Sequence, residues 1–417
     1  MRFLEELAAR RRFGMKPGLD TIREICSALG DPQRRFRAIH VAGTNGKGAV
    51  CAMLDAALRA VPGGRIGRYT SPHLVNLNER FFLDGAPVDD ATLERLATVV
   101  DRTIRQADGR MLSQLTFFEA LTAVAFLLYA EAGVDFAILE CGLGGRLDAT
   151  NVCNPAVSVI ARIGLDHCDW LGDTVEKIAA EKAGIVKPGV PVVLGRNEPS
   201  VVEVVRRRAA EVGAPFHYAP DLADESEIPA DFSLGGSFNR ENAVTAMAAL
   251  EVLGVAKPFR LSDIVWPGRF QRIGSFIVDG AHNPPAARAL VEALKASGVG
   301  AKSIDLICGF CGDKDVAEVL GRLAPLVNRG YAVRTNNPRS LSAGETAAQM
   351  RAAGIADAEA CATLGEAVGK CSAHDGGRTT LICGSLFLAG EALVELGAYP
   401  WGRARFDSAE LLRREKG

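Results

Sequence analysis

The chain has 417 residues, too many for one ordinary core at ~150 residues per domain, so a lone small binding module is excluded and two or three domains are expected. Forty-eight Lys and Arg face fifty Asp and Glu; the formal charge of −2 leaves no global positive field for nucleic acid or an anionic membrane, and any polyanion must be held by a local site. Forty-four glycines, 48% hydrophobic and 6% aromatic residues exclude disorder and collagen-like repeats and describe a globular chain rich in tight turns.

Met1-Arg2-Phe3-Leu4-Glu5-Glu6 lacks the apolar core of a signal peptide, and ten scattered cysteines do not make a disulfide scaffold, so a reducing cytoplasm is expected. The first predicted strand, Phe36 to Val41, leads into Gly43-Thr44-Asn45-Gly46-Lys47-Gly48, after which a 3.6-residue apolar period predicts a helix from Lys47 to Arg59. Three glycines let successive backbone N–H groups turn toward one point, the helix N-terminus adds partial positive charge, and Lys47 supplies a point charge. That is a cradle for a nucleotide triphosphate. Against the template G-x-x-x-x-G-K-[ST], Val41 stands at the first glycine, and neither Gly48 nor Ala49 carries the hydroxyl that usually ligates Mg2+. A glycine-rich turn without a ligand is the alternative; if ATP and Mg2+ bind here, the metal needs oxygen donors from elsewhere.

Phe117 to Ala130 is predicted helical, and its apolar stretch Ala120 to Ala130, bracketed by Glu119 and Glu131, is about half the ~20 residues of a membrane span, so it reads as a buried helix. The next strand, Val134 to Leu139, ends in Glu140, a carboxylate at the usual α/β ligand crevice unless it caps a helix or faces solvent. A strand from Ala156 to Ile163 delivers Asp166 and His167, the histidine being either a core hydrogen-bonder or a ligand. Asp173-Thr174-Val175-Glu176 predicts a helix with Asp173 as N-cap, on which Val175, Ile178, Ala179 and Lys182 share the buried stripe and Lys177 faces out. Lys182 then either snorkels to solvent or is desolvated, with a lowered pKa and an available amine. A strand from Val190 to Leu194 and a helix from Arg240 to Leu253 precede a break at Gly254 to Pro267, and the domain boundary is placed near Val265, giving domains 1–265 and 266–417.

Beyond the break the alternation restarts with strands Ser275 to Val278, Ser303 to Ile307, Gly330 to Arg334 and Thr379 to Ile382, each followed by a helix. Arg269 lies close to the domain joint, where a guanidinium could neutralise phosphate. Asp279 and His282 leave a strand end beside a helix with Asn283 as N-cap and Pro284 at its first position; this suits phosphate or metal-bound water, or an Asx-type turn. Cys308 and Cys311 form a lone C-x-x-C without a second pair for zinc and read as strand core.

Together these motifs are specific. From Phe13-Gly14-Met15-Lys16-Pro17-Gly18-Leu19-Asp20 to Gly384-Ser385-Leu386-Phe387-Leu388-Ala389-Gly390-Glu391, the chain resembles the folylpolyglutamate synthase and dihydrofolate synthase family of the Mur ligase superfamily. Between them lie Thr70-Ser71-Pro72-His73-Leu74, Asn78-Glu79-Arg80, Gly142-Leu143-Gly144-Gly145-Arg146-Leu147-Asp148-Ala149-Thr150-Asn151, Asp166-His167, Glu181-Lys182-Ala183-Gly184-Ile185 and Asp279-Gly280-Ala281-His282-Asn283-Pro284. The resemblance implies an α/β fold of two domains: a P-loop ATPase-like, mostly parallel sheet domain of the Mur ligase central type, then a smaller Rossmann-like domain of the C-terminal type.

It also implies an ATP-dependent amide ligase. A pteroate or folate carboxylate attacks the γ-phosphate, and L-glutamate captures the acyl phosphate, releasing ADP and phosphate. Carried over by position, Gly43, Thr44, Asn45, Gly46, Lys47 and Gly48 hold the phosphates, and Ser71, Glu140 and His167 match the magnesium positions. Lys182 matches a carbamylated lysine, Asn242 an adenine-side contact, and Arg269, Asp279 and His282 the second-domain nucleotide contacts. Lys182, His167 and Lys47 are the expected catalytic residues. Ser71 or a water is expected to replace the hydroxyl lost at Ala49. The expected partners are dihydropteroate or folate, L-glutamate and ATP, with no nucleic acid or membrane, and the chain is expected to be a monomer. A UDP-muramoyl peptide ligase and a non-catalytic homologue are the competing readings; the first is disfavoured by Lys16-Pro17-Gly18-Leu19-Asp20 and Ser71-Pro72-His73, the second by intact Lys47, Glu140, His167, Lys182 and His282.

Overall fold

Apolar runs alternating with helical periods build two sheets, one in each of two units. The computed structural model describes residues 3–4, 18–106, 114–230, 232–255, 261, 264–312, 314–373, 378–402 and 404. Of the motifs quoted above, residues 13–17 lie outside the described residues, as does part of the break at 254–267. The first unit comprises Met1–His73, Leu77–Ser233 and Arg240–Ile264; the second comprises Leu74–Asn76, Leu234–Asn239 and Val265–Gly417.

The first unit holds strands β1 (Arg37–Ala42), β2 (Ile66–Tyr69), β3 (Phe81–Leu83), β4 (Ala86–Pro87), β5 (Phe136–Glu140), β6 (Pro155–Ile160), β7 (Val192–Leu194) and β8 (Phe216–Tyr218). They form one sheet in the order β4-β3-β2-β5-β1-β6-β7-β8. Every pairing from β2 to β8 is parallel, and only the β3 and β4 edge runs antiparallel. Helix α1 (Asp20–Ala28) precedes β1; the crossovers that parallel pairing needs run through α2 (Lys47–Arg59), α3 (Asp90–Gln106), α4 (Phe117–Ala132), α5 (Cys168–Leu171), α6 (Val175–Ala183) and α7 (Pro199–Glu211), and α8 (Ala219–Leu222) and α9 (Ser237–Val252) follow β8. The consequence for the site is topological: β2, β5, β1 and β6 are adjacent and parallel, so the loops after their carboxyl ends emerge along one edge.

The apolar stretch in α4 is buried on all sides, from Glu119 to Tyr129, and α4 begins with a capping box in which Glu119 Oε2 accepts the Thr116 N–H at 2.9 Å. Among the described residues, no helix is long and apolar enough to cross a membrane. The Tyr129 ring packs against Gly67 of β2, where any side chain would collide with it. A buried charge cluster joins α2 to β2: Arg68 and Arg59 each lie 3.3 Å from Asp55, and the Arg68 guanidinium sits 3.9 Å from the Phe82 ring centroid.

The second unit is a six-stranded sheet in the order β13-β12-β11-β14-β10-β9. Its strands are β9 (Gln271–Ile273), β10 (Phe276–Val278), β11 (Ile304–Cys308), β12 (Val327–Ala332), β13 (Ala358–Ala360) and β14 (Thr379–Cys383). All pairings are parallel except the β9–β10 edge. The helices α10 (Pro284–Ala296), α11 (Val316–Leu323), α12 (Ala343–Ala352), α13 (Leu364–Ser372) and α14 (Leu386–Glu395) complete the layers. Asn283 caps α10 by accepting the Ala286 N–H, with Pro284 at the first helical position, as its sequence predicts. Cys308 and Cys311 are both buried in this unit and form no disulfide.

Two expectations need correction. The N-cap of α6 is Thr174, not Asp173: Thr174 is extended and its Oγ1 accepts the Lys177 N–H, whereas Asp173 lies one residue too early and its carboxylate takes Lys177 Nζ at 2.7 Å. β6 stops at Ile160 rather than Ile163, because the Arg162 carbonyl turns away from the ladder to accept the N–H groups of Thr44 and Asn45 at 2.8 and 3.2 Å.

Candidate active site

Four neighbouring strand ends lead into the site. β1 leads into Gly43–Lys47, β5 ends in Glu140, β2 is followed by Ser71, and β6 by Asp166 and His167. The loop after β1 turns through Gly43 (φ 151°) and Gly46 (φ 84°), conformations that side chains rarely adopt. Gly46 stands at the N-cap of α2, so no side chain caps this helix and the amides of its first turn are offered to a ligand. The cradle is narrower than three free-turning glycines suggest, since the Thr44 and Asn45 amides are committed to the Arg162 carbonyl. Thr44 fixes the loop further: its Oγ1 donates to the Gly164 carbonyl at 3.0 Å and accepts from the Gly164 N–H at 3.1 Å. The Asn242 carboxamide abuts Gly46 itself, closing the space a side chain there would need.

Lys47 Nζ donates to the Thr44 carbonyl at 3.2 Å and lies 4.0 Å from Glu140 Oε1. Glu140 is buried, and its other oxygen, Oε2, accepts the Ser71 N–H at 2.9 Å. Ser71 is thus held to the carboxylate by its backbone. His167 is in the left-handed region (φ 51°) at the N-terminus of α5, its side chain half-exposed and its Nε2 3.9 Å from Asp166 Oδ1. Ala49 is buried on α2 and contributes only a methyl group.

Lys182 is a buried cation. It is 4% exposed on the buried stripe of α6, and its Nζ donates to the Gly43 carbonyl at 2.8 Å. Burial, reinforced by the nearby Lys47 charge, lowers its pKa from 10.5 to about 7. A small pocket is lined by Gly43, Thr44, Lys47, Asp166, His167 and Lys182, together with Cys141, Gly142, Leu143, Gly144 and Leu171. Sequence reasoning missed Cys141 and Leu171, which carry no chemical signature of their own; only the packing of loops brings them here.

Arg269, Asp279 and His282 belong to the second unit. Asp279 is buried at the end of β10, where its carboxylate accepts the N–H groups of Phe270 and Ala281, each at 2.8 Å. Burial raises its pKa and Arg269 opposes the rise. The bond to Ala281 is the Asx-type turn that the sequence allowed as an alternative. His282 Nδ1 is 2.8 Å from the Gly280 carbonyl, so Nδ1 carries the proton in this arrangement. Arg269 donates to the Gly268 carbonyl at 3.1 Å, with its guanidinium 6.0 Å from the Trp266 ring centroid.

Comparison with known proteins places the chain in a family. Residues 41–209 match the Mur ligase middle domain, and residues 268–386 match the Mur ligase, glutamate ligase domain. The dihydrofolate synthase/folylpolyglutamate synthase of Bacillus subtilis is 34% identical over 363 residues, covering 79% of this chain and 84% of that protein. Mycobacterium tuberculosis folylpolyglutamate synthase, solved with ADP, superposes with a TM-score of 0.85 at 30% identity, covering 96% of this chain and 99% of the other. The bifunctional folylpolyglutamate synthase/dihydrofolate synthase solved with Mn, AMPPNP and L-glutamate gives a TM-score of 0.78 at 30% identity, over 93% and 96% of the two chains. The chain belongs to the dihydrofolate synthase/folylpolyglutamate synthase family of Mur ligases.

Proposed function

We propose that the protein is an ATP-dependent ligase that joins L-glutamate to dihydropteroate and to the γ-carboxyl of tetrahydrofolate. One observation carries the reading: a buried lysine amine with a pKa of about 7 is bonded to the phosphate loop, in a pocket shared with Lys47 and His167. This lysine is poised for carbamylation. The neutral amine attacks CO2 and loses one proton, and the carbamate nitrogen retains one N–H for the Gly43 carbonyl. At pH 7.5 about three quarters of such a lysine is neutral, against roughly 0.1% of one with the ordinary pKa of ~10.4.

The residues divide the chemistry between them. The first-turn amides of α2 and the Lys47 ammonium hold the β- and γ-phosphates. The acceptor carboxylate oxygen bonds to the γ-phosphorus as the bond to the bridging oxygen breaks, releasing ADP and leaving an acyl phosphate. The glutamate amine then bonds to the carbonyl carbon, phosphate departs, and the amine gives up its proton. Both acids are anions, so charge must be screened before they meet. Glu140 fits a hard divalent cation: it is a buried carboxylate beside Lys47, oriented by the Ser71 N–H, and with His167 and the Ser71 side chain it would hold Mg2+. When bound, Mg2+ supplies charge neutralisation on the phosphates. We assign Asn242 to the nucleotide through the loop it abuts, Arg269, Asp279 and His282 to nucleotide contacts of the second unit, and the protein to the cytoplasm as a monomer.

The test is ATP consumption by the purified protein with dihydropteroate and with tetrahydrofolate, each with and without glutamate. Turnover requires acceptor and glutamate together. Turnover with a UDP-muramoyl acceptor, or with no acceptor at all, would sink the folate reading, and light scattering tests the monomer.

A further inference from the structure

The segment Gly142–Asn151 supplies no group to the steps above, yet it makes directional contacts on two sides. On one side Asp148, buried, accepts the Leu143 N–H at 2.9 Å through Oδ2, and the Thr150 N–H and hydroxyl at 3.0 and 2.5 Å through Oδ1. Having given its proton to Asp148, the Thr150 hydroxyl accepts from His40 Nε2 at 2.8 Å. Burial lowers the His40 pKa to about 3, so the imidazole is neutral with its proton on Nε2. His40 lies on β1, three residues before Gly43.

On the other side the segment grips the end of α6. The Arg146 N–H donates to the Glu181 carbonyl at 2.8 Å, the Arg146 guanidinium donates twice to Glu181 Oε1, and Asn151 Nδ2 donates to the Gly184 carbonyl at 3.2 Å. Gly145 lies so close that an added Cβ would stand 2.8 Å from the Lys182 carbonyl oxygen. Lys182 Nζ closes the ring by donating to Gly43. The circuit therefore runs from β1 through Thr150, Asp148 and Arg146 to α6, and back to β1 through the lysine itself.

We propose that Gly142–Asn151 is a positioning element that sets the Lys182 amine against the phosphate loop, with Thr150 and Arg146 as its positioning residues. Apolar packing would hold α6 against the sheet but not fix its register, whereas hydrogen bonds fix both distance and direction. A lysine side chain reaches its target only from a fixed backbone origin, and a displacement of ~1 Å at a reacting group costs on the order of a hundredfold in rate. The inference rests on reading Lys182 as the carbamylated residue.

The experiment compares wild type, Thr150→Val, Thr150→Ser and Arg146→Ala by kcat, KM for ATP, circular dichroism, and the NMR signal of a carbamate carbon in isotopically labelled bicarbonate. Thr150→Val keeps the shape and the backbone N–H donors to Asp148 but removes the hydroxyl that links Asp148 to His40, and is expected to lower kcat by ~10- to 100-fold and weaken the carbamate signal. KM for ATP stays within about twofold, because the loop remains anchored on the Arg162 carbonyl. Thr150→Ser restores both. Arg146 is half-exposed, so Arg146→Ala leaves the fold intact and lowers kcat by roughly fivefold. Wild-type kcat and carbamate signal in folded Thr150→Val and Arg146→Ala would overturn the proposal. A wild type that ligates without a carbamate signal refutes the carbamate instead, and the kcat series still decides the positioning role.

Discussion

Replacing Lys182 by methionine separates the electrostatics of this site from its chemistry. The lysine pKa falls from 10.5 to about 7 on folding, and at ~1.36 kcal/mol per pH unit that gap corresponds to about 5 kcal/mol. The sign follows from proton counting. Between pH 7 and 10.5 the unfolded chain binds the proton more tightly than the folded one, so the lysine's contribution to stability rises with pH across this window. It is complete above 10.5, falls as pH falls through the window, and is fully lost below 7. Lys182→Met has no such dependence. In CO2-free buffer, denaturant unfolding of both proteins at several pH values should show wild type gaining on the variant by up to about 5 kcal/mol between pH 7 and 10.5, with a constant difference below pH 7. At pH 6 the methionine protein is expected to be the more stable despite losing the bond to Gly43. Parallel stability curves across the window would refute the claim that burial depresses this pKa. The same variant should lose ligase turnover by at least ~10²-fold.

Other outcomes follow from the same structure. Glu140→Gln keeps an acceptor for the Ser71 N–H but removes the charge beside Lys47; turnover should fall by ~10²- to 10³-fold and need more Mg2+ for half-saturation, with little change in melting temperature. Asp55→Ala leaves Arg68 buried without its carboxylate and should cost about 3–5 kcal/mol in denaturant unfolding. Gly46→Ala meets both a left-handed backbone and the Asn242 carboxamide; calorimetry should show weakened ATP-analogue binding and lowered stability, and adding Asn242→Ala should recover the steric part while leaving ~1–2 kcal/mol of backbone cost.

Much of the site was legible one residue at a time. Gly43, Gly46 and Lys47 announce a phosphate loop because only glycine tolerates its turns and only a cation suits its ligand, and α2 begins at Lys47 as the apolar period indicates. The stripe of Val175, Ile178, Ala179 and Lys182 places the lysine on the inner face of α6, and Ile178, Ala179 and Lys182 are buried there. Less accessible were β2, β3 and β4, short strands whose identity comes from their partners, and the buried Asp55–Arg68 pair, whose residues would individually be assigned to the surface.

The sequence by itself determined the family, the alternation that makes parallel sheets, and the residue types the chemistry needs, because these follow from local turn geometry, periodicity and charge. Tertiary structure decided what depends on distant residues being brought together. The adjacency of β2, β5, β1 and β6 gathers Ser71, Glu140, Lys47 and His167 along one edge. Burial chooses between a snorkelling Lys182 and a desolvated one, and the Arg162 carbonyl takes two amides that the loop alone left open. The physical reason is the same in each case. A pKa or a hydrogen-bond partner is set by the surrounding medium and by atoms far along the chain, and neither exists until the chain has folded.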